Sequence, residues 1–578
     1  MVINKRNVVT RVGTALMAAA LAVPLLTAVA ASPASATRAP SITSFPRDET
    51  LYTSGTAYSP PSNWNPLDSG SRYTGTMGLL YETLFLYDPI HNKYLPWLAT
   101  SGSWTGPSTY TLQVRNNVKW TNGSSLTGAD VAYSINLAKT NPAVPYSNLG
   151  QYLSGPGAVA SGNTVTVHFT SPAPYAAWQN YLWNQPVLPQ GVWSKLSATD
   201  QVTGANTSPV STGPMTLVPG GYNQTEACYQ DNPNWWGTAQ LGLSFHFKYL
   251  CDVVNGSNNV ELSALLSNNI DWSNNFLPGI NTLMTIGGNN FIQTYYPSAP
   301  YMLSANTAWL ELNTSKAPMN NVNFRRAVAD AINPQSIVNG VYTGIVQASN
   351  PVGLLPNLDS FLNPSVVKQY GFGYNISKAK SFLKASGYKG QKLTLEVPDG
   401  WTDWMAAIQI ISSELNHIGI KVSPIYPSAN ARTSDQAKGT FDMEINNNVG
   451  ASSDPWSYFD HVYQLPIGGA SNEEAAGLNI ERFSDPSAWK LVEQASTTPS
   501  SDTATLHSIY STLEKDFLQQ LPEIPLWYNG AWFQGNDTYW KDFPSSTSAT
   551  DQNVPVMWGG YLGAMTTVYA LAALRPAK

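Results

Sequence analysis

The sequence predicts an α/β protein with two large lobes, and three observations support this. The chain has 578 residues, whereas a single hydrophobic core stops growing near roughly 250 to 300 residues. Apolar residues alternate at Tyr110, Leu112 and Val114, the period of a half-buried strand. Helical periods lie between such segments, and after Gly419 a helix gives way directly to a strand over 420–425.

The remaining elements follow the same two periods in chain order. Thr127 and Asp130 have the spacing of a helix start. A second strand is predicted from the alternation of Val165, Val167 and Phe169. Two amphipathic helices are predicted from apolar positions, the first at Phe324, Ala327, Val328, Ala331 and Ile332 and the second at Trp404, Ile408, Ile411, Leu415 and Ile418.

The first residues are typical of a secretory signal peptide. Basic residues at positions 5, 6 and 11 precede an apolar run over 14–31 and the small-residue site Ala34-Ser35-Ala36. A membrane anchor is the alternative, but Pro24 interrupts the apolar run. We therefore expect residues 1–36 to be removed, and a flexible Ser-, Thr- and Pro-rich leader over 37–62. The product would be extracytoplasmic, either periplasmic or secreted.

Net charge and cysteine content limit the possible binding partners and the mode of attachment of the protein. Cleavage removes three basic residues and no acidic ones, so the net charge falls from −6 to −9, which disfavours nucleic acid as a partner. Cys228 and Cys251 are the two cysteines. Neither lies in the signal segment, so we expect no lipid anchor. In an oxidising compartment such a pair favours a disulfide, with two free buried thiols as the alternative.

Reactive motifs are missing from the sequence. The six histidines are scattered without a His-Glu-x-x-His pair, and neither a Gly-x-Ser-x-Gly elbow nor a phosphate-binding loop occurs. We therefore predict no enzyme activity, no catalytic residue, no metal site and no cofactor. A secreted hydrolase remains the alternative from another functional class.

Ordered motifs along nearly the whole mature chain resemble those of the family 5 extracellular solute-binding proteins of ABC importers. The most specific are Leu80-Tyr81-Glu82-Thr83-Leu84-Phe85, Tyr94-Leu95-Pro96-Trp97-Leu98-Ala99, Tyr110 to Trp120, Asn122 to Val131, Ser211-Thr212-Gly213-Pro214, Asn232 to Gly237, Phe324-Arg325-Arg326-Ala327 and Leu521-Pro522-Glu523-Ile524-Pro525.

The resemblance implies a two-lobed, type II periplasmic-binding-protein-like fold. Its ligand would lie in a cleft between lobes that close about two hinge crossings. We expect lobe I over 63–298, lobe II over 299–526 and a return to lobe I over 527–578. The crossings are predicted near Tyr296–Leu303 and Ile524–Tyr528.

The ligand class is the open question. Peptide binding is the commonest role in the family, so an oligopeptide is the first expectation. Peptide binders of the family typically pair the ligand amine with an Asp three positions before an acid-Pro step. That step is Asp454-Pro455 here, and the matching position is Ala451. A buried unpaired ammonium would be costly, which argues against a free amino terminus.

A β-linked oligosaccharide is the alternative ligand. The 19 Trp outnumber the 17 Phe, and sugar rings pack on flat indole faces. The segments Gly400 to Met405 and Pro455 to Tyr458 resemble the cellobiose-type branch of the family. Nickel or haem is a third possibility, which the absence of a His, Cys or Met cluster disfavours.

The predicted partners are a small oligomeric solute and a membrane permease of an ABC importer, and we expect a monomer. The residues predicted to contact the ligand are Trp64, Asn65, Trp183, Trp401, Asp403, Trp404, Asn448, Gly450, Asp454 and Trp456.

Overall fold

The structure, a computed structural model, describes residues 45–54, 60–68, 71–286, 291–447, 449–450, 452–467, 479–548 and 567–578. The predicted signal peptide lies outside these ranges. Within them, no helix has both the length and the apolar character needed to cross a bilayer.

The chain contains both strands and helices along its length. The strands are β1 Thr50–Ser54, β2 Phe85–Asp88, β3 Lys93–Pro96, β4 Ala99–Gly106, β5 Thr109–Val114, β6 Leu153–Ser161, β7 Thr164–Phe169, β8 Met215–Tyr222, β9 Glu226–Asp231, β10 Tyr249–Val253, β11 Trp272–Ser273, β12 Ile292–Gln293, β13 Leu303–Leu312, β14 Gln347–Ala348, β15 Lys392–Glu396, β16 Lys421–Ile425, β17 Met443–Asn446, β18 Glu523–Ala531, β19 Gln534–Asn536, β20 Trp540–Lys541 and β21 Arg575–Pro576. The helices are α1 Gly128–Thr140, α2 Tyr175–Asn184, α3 Gln190–Trp193, α4 Ala198–Thr203, α5 Trp236–Leu241, α6 Asn258–Leu266, α7 Ile280–Ile286, α8 Val322–Ala331, α9 Pro334–Gly340, α10 Pro364–Tyr370, α11 Ile376–Ser386, α12 Thr402–His417, α13 Ala429–Lys438, α14 Trp456–Tyr463, α15 Pro486–Ser496, α16 Thr503–Gln520 and α17 Thr567–Ala573.

Two mixed sheets organise the chain into two lobes, which confirms the predicted fold class. Lobe I is built on a seven-stranded sheet in the order β12-β19-β11-β1-β10-β9-β8, and lobe II on a six-stranded sheet in the order β14-β18-β13-β17-β15-β16. A four-stranded sheet, β4-β5-β7-β6, and the hairpin β2–β3 come from the chain between β1 and β8. Buried apolar residues form a large core through both lobes and a second cluster around α14, α15 and α16.

The predicted elements appear where their periodicity placed them. Tyr110 and Leu112 of β5 are buried and pair with Val167 and Val165 of β7. The two amphipathic helices are α8 and α12, and the strand after Gly419 is β16. Helix α1 begins with a capping box in which Thr127 and Asp130 satisfy each other's backbone N–H groups.

The predicted leader is partly wrong. Strand β1 lies inside the range 37–62, and it pairs in parallel with both β10 and β11. Its threonines suit a buried strand because their hydroxyl groups find acceptors: Thr50 Oγ1 donates to the Pro46 carbonyl at 2.8 Å and Thr53 Oγ1 to Asp252 at 2.8 Å. Composition alone could not show these partners.

The chain passes from one sheet to the other twice. The first passage lies between Gln293 of β12 and Leu303 of β13. The second lies after Ala531 rather than at 527, because β18 runs fully buried to Ala531 between β13 and β14. Residues 527–531 therefore belong to the sheet of lobe II, and lobe I resumes with β19.

A buried carboxylate ties the hairpin region to the rest of lobe I. Glu82 accepts indole N–H bonds from Trp97 at 2.9 Å, Trp235 at 3.2 Å and Trp236 at 3.0 Å. Burial raises the pKa of Glu82 to about 7, while the three indole donors act in the opposite direction. Glu82 and its three tryptophan partners, which lie in the motifs that resemble the family, therefore have a structural role.

Candidate functional site

The lobes touch through a polar contact at the tip of hairpin β2–β3. The Tyr94 hydroxyl oxygen lies 2.8 Å from the Ser453 Oγ, and Asn92 Nδ2 donates to the Ser453 carbonyl at 3.4 Å. Ser453 lies in the loop just before α14 of lobe II. Hairpin β2–β3 therefore covers that loop from the lobe I side.

A small cleft lies in lobe II beside this contact. It is formed by β13, the turn after β14 and the loop leading into α14. Its lining residues are Thr307, Trp309, Gly353, Leu354, Leu355, Leu358, Val449, Gly450, Ser452, Asp454 and Tyr458. The cleft thus combines aromatic and aliphatic walls with a few polar groups, the composition of a small-molecule site.

Lobe I contributes an aromatic cluster near the same loop. The Tyr87 ring lies 5.4 Å from that of Tyr94 and 5.2 Å from that of Trp183. Burial raises the pKa of both tyrosines, and the charge of Asp454 adds to the effect on each. Both phenols therefore lie near Asp454 and stay protonated.

Asp454 is the acid among the lining residues, and its carboxylate is already engaged. The Trp456 backbone N–H donates to Asp454 Oδ1 at 2.8 Å, and the Tyr510 hydroxyl donates to the same oxygen at 3.4 Å. Burial raises the pKa of Asp454, and these two donors oppose that rise. Asp454 therefore closes the turn that leads into α14.

Three buried asparagines lie on neighbouring strands at this end of the lobe II sheet. Asn306 of β13 is directly opposite Asn529 of β18, and Asn446 of β17 is opposite the cleft residue Trp309. Within the described ranges, neither side-chain polar atom of Asn306 has a hydrogen-bond partner, nor does Asn446 Nδ2 or Asn529 Oδ1. An unsatisfied buried polar group costs about 1 to 3 kcal/mol, so these amides favour a polar ligand.

A second contact between the lobes involves the start of α12. Asn258 Nδ2, at the start of α6, donates to Thr402 Oγ1 at 3.2 Å and lies 3.5 Å from Asp403 Oδ1. The Tyr342 hydroxyl donates to Asp403 Oδ2 at 2.9 Å. Burial raises the pKa of Asp403 to about 6, and the Tyr342 donor lowers it. Asp403 is thus a buried residue at a contact between the lobes.

The predicted tryptophans near this contact differ in exposure. Trp404 is buried in the apolar stripe of α12, and the half-buried Trp401 packs edge-on against it at 4.7 Å. Trp456 is also half-buried and packs on the second core cluster. Trp401 and Trp456 therefore keep accessible ring surface, whereas Trp404 is a core residue.

Two predicted ligand contacts are instead parts of the lobe I scaffold. Trp64 is fully buried and its indole N–H donates to Tyr229 at 2.8 Å. Asn65 Nδ2 donates to the carbonyl groups of Gln201 and Gly204 at 3.1 and 2.9 Å. With no exposed surface and their donors in use, neither side chain is available to a ligand.

The structure places the predicted residues in different parts of the molecule. Gly450 and Asp454 line the cleft, whereas Trp183 packs against Tyr87 in the aromatic cluster of lobe I. The α12 group, comprising Trp401, Asp403 and Trp404, marks the second contact between the lobes. Trp64 and Asn65 are scaffold, and Trp456 begins α14. Asn448 and the position of the family Asp, Ala451, lie outside the described residues.

Sequence reasoning missed the β13 side of the cleft. Asn306 and Thr307 interrupt the apolar run of that strand just before Trp309. Polar residues inside a strand buried along most of its length are the signal that could have identified them.

The predicted cysteine pair forms a disulfide. Cys228 of β9 lies directly opposite Cys251 of β10, with their Cα atoms 4.1 Å apart. This pair is in the seven-stranded sheet of lobe I and stabilises the scaffold.

The comparisons with known proteins agree with this architecture. Residues 93–468 match the model of the bacterial extracellular solute-binding proteins, family 5 Middle. The oligopeptide-binding protein OppA of Bacillus subtilis is 22% identical over 74% of this chain and 78% of its own length. The nickel-binding periplasmic protein of Escherichia coli is 25% identical over 66% of this chain and 72% of its own length.

A solved structure is considerably more similar. The mannohexaose-bound periplasmic oligopeptide-binding protein of an oligopeptide ABC transporter from Thermotoga maritima is 35% identical to this chain. The superposition has a TM-score of 0.86 and covers 92% of this chain and 99% of the other.

Proposed function

The chain belongs to the bacterial extracellular solute-binding proteins of family 5, and we propose that it captures a neutral oligosaccharide outside the cytoplasm for import by an ABC transporter. The captured sugar would be handed to the membrane permease of that importer.

The charge of the cleft is the observation that carries the choice of ligand. Of the described lining residues none is basic, and the acid Asp454 already accepts two hydrogen bonds. A peptide brings an ammonium and a carboxylate, and each would need a partner after desolvation. A neutral sugar brings no such requirement.

The groups that the cleft does offer suit sugar hydroxyls and ring faces. Asn306 and Asn529 have unpartnered amide atoms beside it, and the buried Trp309 forms part of its wall. Amides can donate to and accept from hydroxyls, while C–H faces of a sugar pack on aromatic rings. The Thermotoga maritima protein, 35% identical, is described as mannohexaose-bound, which supports the same class.

Binding would act through lobe closure. The passages at 294–302 and 532–533 are the two chain segments between the sheets, and the Tyr94–Ser453 contact joins the lobes at the cleft. A ligand that contacts both lobes favours the closed state by its differential affinity. The permease would then recognise the closed protein.

An oligopeptide is the second candidate. The Bacillus subtilis relative is named as an oligopeptide-binding protein, and Asp454 is an acid in the cleft. A peptide amine would have to compete with Trp456 and Tyr510 for that carboxylate.

Isothermal titration of residues 37–578 with mannohexaose, cellohexaose and a set of short peptides tests the proposal. We expect binding of at least one hexasaccharide without its cleavage, as checked by chromatography of the recovered sugar. Binding of the peptides alone would refute the sugar assignment, and cleavage of the sugar would refute the transport role.

A matched pair of variants locates the site. Trp309 and Trp178 are both buried and their indole nitrogens have no hydrogen-bond partner among the described residues, but only Trp309 lines the cleft. We expect Trp309→Phe to weaken sugar binding about tenfold and Trp178→Phe to leave it unchanged. Equal effects of the two substitutions would contradict the assignment.

A further inference from the structure

A histidine and two glutamates meet in the interior of lobe II. Glu311, His461 and Glu523 are all fully buried. His461 Nε2 lies 3.8 Å from Glu311 Oε1 and 3.5 Å from Glu523 Oε1. One ligand atom from each of the three residues lies within 4.8 Å of the other two.

Three packed elements fix these side chains. Glu311 of β13 is directly opposite Glu523 of β18 in the antiparallel pair, so their side chains share a face of the sheet. His461 comes from α14, and its ring stacks on Trp309 with centroids 5.8 Å apart and an interplanar angle of 23°. The donor atoms therefore converge from rigid strands and a helix.

The polar atoms of this cluster have no hydrogen-bond partner. Among the described residues, no hydrogen bond of good geometry reaches either ring nitrogen of His461 or the carboxylate oxygens of Glu311 and Glu523, although Glu444 and Asn446 lie next to the Glu311 carboxylate. Buried carboxylates without donors are strongly disfavoured, so the cluster needs a cation or bound protons. The Nε2 atom of His461 lies near both carboxylates. The cluster therefore contains an imidazole as well as acidic groups.

The nearby basic group is already in use. Arg432 Nε lies 2.9 Å from Glu444 Oε2, and Gln436 Nε2 donates to Glu444 Oε1 at 2.8 Å. The neutral imidazole is the form of a histidine that binds metals.

We propose that Glu311, His461 and Glu523 bind one divalent transition-metal ion, such as Zn²⁺ or Mn²⁺, as a structural site of lobe II. Bonds of about 2.0 to 2.2 Å in a tetrahedral arrangement put neighbouring ligand atoms about 3.4 Å apart. The distances of 3.5 and 3.8 Å are close to this value.

One imidazole with two carboxylates is a mixed donor set. Imidazole favours Zn²⁺ and its neighbours, whereas carboxylates alone would favour Ca²⁺ or Mg²⁺. The ion would connect β13 and β18 to α14, the helix that carries the cleft residue Tyr458. It would thereby hold one wall of the ligand cleft, separately from the ligand itself.

Metal content of the full secreted chain is the direct test. Because the site is fully buried, exchange requires opening of lobe II, and we expect about one tightly held ion per chain after an EDTA wash. Elemental analysis by mass spectrometry measures it. Refolding from denaturant with Zn²⁺ or Mn²⁺ should raise Tm above refolding with EDTA, and Ca²⁺ should have a smaller effect.

Three variants assign the ion to this cluster. Glu523→Gln and His461→Ala should lose the ion and the metal-dependent rise in Tm, whereas Glu82→Gln, in the Trp-bound carboxylate of lobe I, should keep both. The proposal would be overturned if the wild-type chain held no metal ion and its Tm did not depend on metal. It would also be overturned if both Glu523→Gln and His461→Ala kept the ion. The wild-type measurement decides the question even if a variant fails to fold, and neither result depends on the identity of the solute.

Discussion

The hydroxyl oxygen of Tyr94 lies 2.8 Å from the Oγ of Ser453 and joins hairpin β2–β3 of lobe I to the cleft loop of lobe II. Both side chains are partly buried. The contact can form only when the lobes are close together, so it contributes to the closed state and not to an open one.

Removing this hydroxyl should weaken ligand binding. A neutral hydrogen bond contributes about 0.5 to 1.5 kcal/mol, or roughly a 2- to 12-fold change in affinity. We therefore expect Tyr94→Phe to raise Kd within that range in isothermal titration with the hexasaccharide that binds. Tyr175→Phe is the control, since the Tyr175 hydroxyl donates to the Pro107 carbonyl at 3.1 Å within lobe I. An unchanged Kd for Tyr94→Phe would show that the contact is absent from the bound state.

The Tyr342–Asp403 bond should be important for stability. Tyr342→Phe leaves Asp403 Oδ2 buried without its 2.9 Å donor, which should cost about 1 to 3 kcal/mol of unfolding free energy. Tyr463→Phe is a matched control, because its acceptor Asp516 is only half-buried and water can replace the lost donor. Urea denaturation measures both losses, and a loss for Tyr342→Phe no larger than that of the control would contradict the prediction.

The buried Glu261 should make lobe I less stable as the pH rises. Burial raises its pKa from 4.5 to about 7, although Ser273 and Asn275 donate to it. Between these two pH values the folded protein holds a proton that the unfolded chain has released. The unfolding free energy should therefore fall across that window, by an amount on the order of 3 kcal/mol.

Thermal melts between pH 4.5 and 8 check this sign. In Glu261→Gln the fall of Tm with pH should be smaller than in the wild type. Glu49→Gln is the control, because Glu49 is a partly exposed residue that pairs with Lys248 at 2.7 Å. This change should leave the dependence of Tm on pH unaltered. A Glu261→Gln slope equal to that of the wild type would exclude Glu261 as the cause.

The disulfide should stabilise lobe I. Cys228 and Cys251 are 23 residues apart, and closing a loop of that size is worth about 3 kcal/mol on the chain-entropy model. We expect the double variant Cys228→Ala/Cys251→Ala to melt at lower temperature. Dithiothreitol should lower Tm of the wild type but not of the variant; a wild-type Tm indifferent to the reductant would contradict this.

Local sequence patterns determined much of the fold. Alternation gave β5 and β7, helical spacing gave α8 and α12, and ordered motifs from Tyr81 to Pro525 predicted the family. These signals are readable because each depends on residues that are close along the chain. The prediction of a flexible leader over 37–62 was partly wrong because the strands that pair with β1, β10 and β11, lie about 200 residues away in the sequence.

Only the tertiary structure decided which side chains come together. Trp64 and Trp309 are the same type of residue, and both are buried. Trp64 belongs to the lobe I scaffold, whereas Trp309 lines the cleft. Glu311, His461 and Glu523 are far apart in sequence and meet because β13 pairs with β18 beneath α14. Composition and periodicity report local propensity and burial, whereas a site depends on long-range packing that brings distant residues within a few ångströms.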